Sequence, residues 1–345
     1  MKRSVRIAFF LLGAAILSGC SWLVDEDRSD CGGSLSIAYR LRLVTNERTE
    51  LETVLSLETD APVRDALEKY LRGVFTDVAH DVALSFYDEG GGRVEHLDEI
   101  MDKESFECSF FLPAQPLLHS CIANVADSGP VTLEGDEAWQ SAQLVQHIED
   151  GVTDPQATGL FTGRKSLEVR AAEGQQTAMD LFIANSATAL VLETADAGDI
   201  AGLKVYVTGF ADSFNVPDST WNYTSAPLVR TEDLPLETGT QRCFASVHFP
   251  SRDYRPETRT VTETVEPFLS EPAPEPLWFW RVYVRIPDGS VTESVIEMSN
   301  PLRAGQLKIL KAKVSDTGIV NVKDPAVGVS VTLDWHEGGN HIIDF

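Results

Sequence analysis

The sequence predicts an all-β protein of two sandwich domains in series, the first carrying a short helix. Three observations carry this reading. Segment after segment alternates apolar and polar residues with period two, the pattern of a half-buried strand. A single stretch, beginning after Asp60, has an apolar stripe of period 3.6 instead. Between residues 175 and 193 the patterning ends and restarts as a new series, which divides the chain into 35–185 and 186–345. One helix among about a dozen strand candidates is the composition of packed sheets.

The first strand is Leu35 to Leu43, whose large apolar residues share one face while Ser36, Arg40 and Arg42 share the other. The helix follows. Asp60 is placed to cap it, Pro62 is tolerated in the first turn, and Val63, Ala66, Leu67, Tyr70, Leu71 and Val74 form its stripe. Strand patterning resumes at Val82 to Tyr87 and closes on Asp88-Glu-Gly-Gly-Gly92, a hairpin turn. Phe106, Cys108, Phe110 and Leu112 alternate next. After Pro113-Ala-Gln-Pro116, the residues Leu117, His119 and Cys121 fall on a return strand. Residues 134 to 157 are mostly polar, with Glu137 to Ile148 a candidate short helix, and Phe161 to Val169 reads as strand again.

The second series contains Leu203 to Val207 and Arg242 to Phe249. Between them, Ala211 to Gly239 is rich in Asp, Ser, Thr and Pro and reads as an extended loop. Residues 250 to 276 form another, where six prolines resist pairing in a central strand. Trp278 to Ile286 then places five bulky residues on one face before the Pro-Asp-Gly289 turn. Lys308 to Val314 and the near-ideal alternation of Val327 to Trp335 complete the set.

The amino terminus carries a separate message. Lys2, Arg3 and Arg6 precede an apolar run from Ile7 to Leu17, and small residues lead into Leu17-Ser-Gly-Cys20. That order is a bacterial lipoprotein leader: the apolar run is too short for a retained spanning helix, and Cys20 becomes the acylated first residue of the mature chain. Each buried acyl methylene adds about 0.8 kcal/mol to membrane attachment, so several chains make a stable anchor. Residues 20–34, with Asp25, Glu26, Asp27 and Asp30, read as an exposed tether, since so many carboxylates are expensive to bury.

The leader 1–19 holds three of the 28 basic residues and no acidic one, leaving 25 against 53 acidic residues and a formal net charge of −28. Such a field disfavours nucleic acid and anionic lipid head groups as partners. It suits a solvated extracellular surface or a basic protein partner.

Four cysteines follow Cys20. They show no Cys-x-x-Cys spacing, and the seven histidines are scattered, so neither a metal site nor a redox dithiol is expected and no cofactor is implied. Folding a hairpin about Pro113–Pro116 sets Cys108 opposite Cys121, close enough for a bridge. Elimination leaves Cys31 with Cys243, and buried thiols are the alternative for each pair. His80 with Asp81, His96 with Asp98 and His147 with Asp150 are neighbours in sequence only, and no convergent acid, base and nucleophile emerges, so the chain reads as non-catalytic. Trp278 and Trp280 share parity with Val282 and Val284 and read as core. Trp221 and Tyr223, in a polar stretch, are the one pair suited to stacking on sugar rings, which keeps a glycan-binding surface lipoprotein open as an alternative.

Several of these segments together resemble the fimbrillin-associated anchor lipoproteins of Bacteroidetes. They are the Cys20 box, Asp30-Cys31 with the Leu35–Leu43 strand, Val82 to Gly92, Phe110-Phe-Leu-Pro113 before Cys121-Ile-Ala-Asn124, and the closing stretch from Gly328 to Gly339. Where that family commonly has glycine and tyrosine in a turn, this chain has Ala114-Gln-Pro116. The resemblance implies a pair of transthyretin-like β-sandwich domains and an outer-membrane protein that stays lipidated at Cys20. It further implies fimbrillin subunits as partners, and a role in holding the base of a surface fimbria and limiting its length. A stalk or tip fimbrillin is the competing identity, and Val327 to Trp335 is a core strand or part of an acceptor sheet.

Overall fold

The alternating strands meet on their apolar sides. β2 (Asp81–Tyr87) buries Val82, Leu84 and Phe86, and turns through Asp88–Gly92 into its antiparallel partner β3 (Arg93–Ile100). In that turn Gly92 N donates to the Asp88 carboxylate at 2.9 Å, and Gly91 takes a φ of 84° that favours glycine. The structure, a computed structural model, describes residues 36–46, 55, 58, 60–75, 80–100, 105–170, 175–194, 201–236, 240–254, 273–322 and 328–332. The leader 1–19, the 20–34 tether with Cys20 and Cys31, residues 255–272 of the proline-rich loop and residues 333–345 lie outside them. Among the described residues the fold is all-β with one α-helix and one short 3-10 turn.

β2 and β3 belong to a seven-stranded sheet in the order β3-β2-β5-β9-β10-β1-β4. Its other members are β5 (Pro116–Ala123), β9 (Phe161–Glu168), β10 (Gln175–Ile183), β1 (Ser36–Asn46) and β4 (Ser105–Pro113). β9 and β10 share only two residue pairs, Thr162 with Phe182 and Phe161 with Ile183. The sheet folds over at that narrow joint, so that Phe110 of β4 meets Phe86 of β2 with ring centroids 4.6 Å apart. One sheet thus doubles into the two layers of a sandwich.

This topology overturns the Phe106–Cys121 hairpin. β4 runs antiparallel to β1 over nine positions, from Ser36 opposite Pro113 to Val44 opposite Ser105, whereas β5 pairs with β2 and β9. The Pro113–Pro116 segment therefore carries the chain from one layer to the other. Cys108 and Cys121 sit on opposite walls of the core rather than side by side in a ladder, and no disulfide joins them. Sequence proximity had suggested a local pairing; the long ladder with β1 won.

The helix α1 (Ala61–Phe75) begins where expected. Arg64 N donates to Asp60 O at 2.9 Å, and Val63, Leu67, Leu71 and Val74 are buried with Ala66 and Tyr70 packed beside them. Burying one such side chain contributes roughly 1.5–3 kcal/mol. The same continuous core includes residues of the second half: Ala187, Ala189 and Val191 of β11 (Ser186–Thr194), and Cys243, Ala245 and Val247 of β17 (Gln241–His248).

β11 and β17 lie in a five-stranded sheet ordered β16-β17-β11-β20-β21, with β16 (Glu232–Leu234), β20 (Leu307–Val314) and β21 (Val320–Val322). Its opposite face, with Leu190, Leu192, Phe244, Leu310 and Val314, packs on Trp278, Trp280, Val282, Val284 and Ile296 of a six-stranded sheet. That sheet runs β22-β19-β18-β12-β15-β8, from β22 (Gly328–Thr332), β19 (Val291–Met298), β18 (Trp278–Arg285) and β12 (Gly202–Thr208) to β15 (Leu228–Arg230) and β8 (Val152–Thr153). Trp278 and Trp280 are core, as their parity indicated, with 1% and 0% of their surface exposed.

β8 comes from the first half of the chain, and so do two strands of a four-stranded sheet. Its order is β14-β13-β7-β6, built from β14 (Thr220–Asn222), β13 (Ser213–Asn215), β7 (Gln143–Gln146) and β6 (Val131–Glu134). Two expectations fail here. Glu137 to Ile148 is not a helix, because Leu144 and Gln146 alternate inward on β7; only Trp139–Ser141 makes one 3-10 turn. The Ala211–Gly239 stretch is not a bare loop, because it holds four short strands: β14 pairs with β13 inside the stretch, and β13, β15 and β16 find partners elsewhere in the chain. Polar composition hides strands this short.

Two buried asparagines hold the return of this excursion. Asn124, with φ 65°, accepts from His80 N at 2.5 Å and donates to Gly159 O at 2.8 Å. Asn185 donates to Thr158 O at 3.2 Å and to the Gln156 side chain, and accepts from Leu160 N. Gly159 leaves no room for a Cβ, which would run into the Val74 carbonyl at the end of α1. Replacing Asn185 by alanine strands buried backbone groups. The N185A variant should lose about 1–3 kcal/mol of stability, read from urea unfolding of variant and parent.

Two histidines are buried in the two sandwiches. His119 stacks on Phe86 at 4.0 Å and its Nδ1 bonds Ser85 O at 2.9 Å; His248 stacks on Phe210 and bonds Thr188 Oγ1 at 3.1 Å through Nε2. Burial lowers them to about 4 and about 3 respectively, against the opposing pull of a backbone carbonyl on each. Below pH 6.5 the unfolded chain takes up protons that the folded chain refuses, so their contribution is present above pH 6.5 and is lost as pH falls toward 4. Denaturant midpoints should drop across that window, and H119L should flatten the drop.

Candidate functional site

The sequence-adjacent His/Asp pairs are placed in different ways by the strands. His96 and Asp98 share a face of β3, and His96 Nε2 lies 3.2 Å from Asp98 Oδ1. Across the ladder His96 Nδ1 lies 2.8 Å from Ser85 Oγ, so serine, imidazole and carboxylate form a line that sequence reading missed. Nothing in the sequence marks Ser85; its register opposite His96 comes from the β2–β3 ladder. Ser85 is only 2% exposed, and a nucleophile in that position cannot meet a substrate. With Arg93 on Asp136 at 2.5 Å and Tyr87 Oη donating to Asp136 O at 2.9 Å, the cluster fastens β2 and β3 to the 131–142 excursion. His147 is instead held through its own backbone, with N donating to Pro130 O at 2.7 Å.

Trp221 and Tyr223 are half-buried rather than displayed. The Trp221 ring lies 4.5 Å from Phe214 and 5.1 Å from Phe249, tilted by 48° to each. Tyr223 Oη donates to Ser251 O at 2.8 Å, and the Arg252 guanidinium sits 5.4 Å from its ring centre. Burial, partly offset by Arg252, pushes the Tyr223 hydroxyl up to about 12. The two rings pack against a small core with Val131, Leu144, Ala211 and Phe249, so they do not form a paired platform. Trp221 does reach one concavity of about 340 Å³, shared with Thr162, Phe182 and Val216, where Phe182 is 54% exposed.

Sheet edges are a further surface for association among the described residues. Among the described residues β3 and β4 bound the seven-stranded sheet; Arg93 N at the start of β3 donates to Glu137 O of the excursion at 3.2 Å, and Phe111 on β4 is 72% exposed. An edge of this kind offers unpaired N–H and C=O groups to an incoming strand. β22, from the closing alternation, pairs antiparallel with β19 and forms an edge of the six-stranded sheet. Among the described residues no helix is long and apolar enough to cross a membrane.

Cys121 and Cys243 are buried thiols, both pushed upward by burial, Cys243 to about 12. Such thiols are inert. Under native conditions neither should react with maleimide, and both should label fully in guanidinium, as peptide mapping by mass spectrometry would read out.

These layers define a class: a β-sandwich protein of two halves with strand exchange between them and an excursion that covers one flank. Solved structures resemble its fold. The chain is similar to two proteins of Bacteroides ovatus described as candidate adhesins, one from strain ATCC 8483. They show 12% and 9% identity, each with a TM-score of 0.50; the matches cover 84% and 86% of this chain and 95% and 94% of theirs. The fimbrial anchor protein Mfa2 from Porphyromonas gingivalis also matches, at 8% identity and a TM-score of 0.46 over 86% of this chain and 98% of that one. No family model matches the sequence, and no curated protein matches it.

Proposed function

We propose that this chain is a cell-surface, fimbria-associated lipoprotein that works as an anchor. It is acylated at Cys20 in the outer membrane, holds the base of a fimbria through fimbrillin subunits and limits fibre length, and it is not an enzyme. The observation that carries the reading is the fold's match, over 84% of the chain, to a structure described as a candidate adhesin, joined to a sequence whose leader ends in Leu17-Ser-Gly-Cys20. The acidic surface and the open edges of the first sandwich suit capture of another chain. Metabolic labelling with palmitate should mark the mature protein at Cys20, and the label should vanish in C20S. Pull-down from outer membranes should recover fimbrillin, and deletion in the source bacterium should yield long, shed fibres. Fibres of ordinary length that remain attached would overturn the anchor.

A second reading, a glycan-binding surface lipoprotein, has one specific support. Trp221 and the exposed Phe182 border the same concavity. Binding of a surface polysaccharide that W221A abolishes, with fibres unchanged, would favour it. In that case Trp221 acts with Phe182 rather than with Tyr223.

A further inference from the structure

We propose that His80, Asp81 and Asp127 form a binding site for one divalent transition-metal ion of the zinc class. One donor atom from each residue lies within 4.8 Å of the other two. The cluster joins the start of β2 to the turn that follows β5, so the ladder between those strands brings Asp127 back to a pair adjacent in sequence. Scattered histidines conceal such a site from sequence reading, because only two of its ligands are neighbours.

A second observation points to a cation. Asp81 Oδ2 accepts from Ala126 N at 3.3 Å, but Asp81 Oδ1 is shut off from solvent and meets no hydrogen-bond donor among the described residues. A sequestered carboxylate oxygen without a donor is uncommon and calls for a partner. A cation held between His80 and Asp127 would supply it. The frame is already set: Asn124 N donates to Asp81 O at 2.8 Å, and His80 N donates to the Asn124 side chain at 2.5 Å. Ligands about 2.0–2.2 Å from an ion can stand no more than about 4.4 Å apart, a spacing that donor atoms within 4.8 Å of one another reach with small side-chain movements. His80 and Asp127 are exposed on the surface and can turn inward around the half-buried Asp81.

The donor set selects the metal class. One imidazole with two carboxylates leaves a coordination position to water, which matches zinc and its neighbours; calcium needs six to eight oxygens and gains little from a nitrogen. The ion would cross-link β2 to the 124–127 turn beside the Asn124 clamp.

The test uses the full mature protein, stripped with chelator and dialysed against Zn²⁺ or Ca²⁺, with bound metal counted by mass spectrometry and thermal unfolding followed in parallel. One Zn²⁺ per chain should be retained at about 100 µM, with a rise in Tm of about 2–4 °C. H80A and D127N, both at exposed positions, should each weaken Zn²⁺ binding at least tenfold while leaving the metal-free Tm unchanged. Absence of bound Zn²⁺, equal binding by both variants, or a preference for Ca²⁺ would overturn the proposal.

Discussion

The five-stranded sheet is covered on both faces, and every other layer takes its place from that fact. β11 is its middle: antiparallel to β17, parallel to β20, and buried from Ser186 to Leu192. A strand with two dry faces cannot alternate apolar with polar, and Ser-Ala-Thr-Ala-Leu-Val-Leu does not. Its two sides differ in bulk instead. Leu190 and Leu192 interlock with the tryptophans of β18, while Ala187 and Ala189, with Ala245 alongside, leave a shallow surface in the core shared with α1. Small side chains there let the helix and the first sandwich come close. Lys311 of β20 reaches Glu58 just ahead of the helix at 2.6 Å, a contact between the two halves at the rim of that shared core.

Much of this was readable in the residues, and what escaped had physical causes. The α1 stripe, the β2 alternation and the inward parity of Trp278 and Trp280 are local patterns, and the structure keeps them. Local pattern does not name a partner. Cys108 and Cys121 look like a hairpin pair because their strands are consecutive, yet β4 gains a nine-position ladder with β1, seventy residues away in the chain by order of magnitude. β7, β13 and β14 are too short and too polar to announce themselves: β7 and β13 complete each other from distant segments, and β14 pairs with β13. The site residues divide in the same way. Trp221 was visible as an aromatic in a polar stretch, but its partner at the concavity, Phe182, lies on β10 and was not. Ser85 beside His96, and Asp127 beside His80, depend on register, which a single sequence does not display.

The asparagines that end two strands make the point in miniature. Ile122-Ala-Asn124 and Ile183-Ala-Asn185 are the same three residues, one after β5 and one after β10. Each side chain turns inward to bond the backbone of the 156–160 segment from its own side. An amide suits this task because it donates and accepts at once.

β8 and the β6–β7 pair leave the first half and complete sheets belonging to the second. Pulling the halves apart would therefore open two backbone ladders and lay bare a common interior, so neither half can melt while the other stays native. Heat or force should find one transition where the chain's length would suggest two, and strain applied at either end of such a protein is felt throughout it.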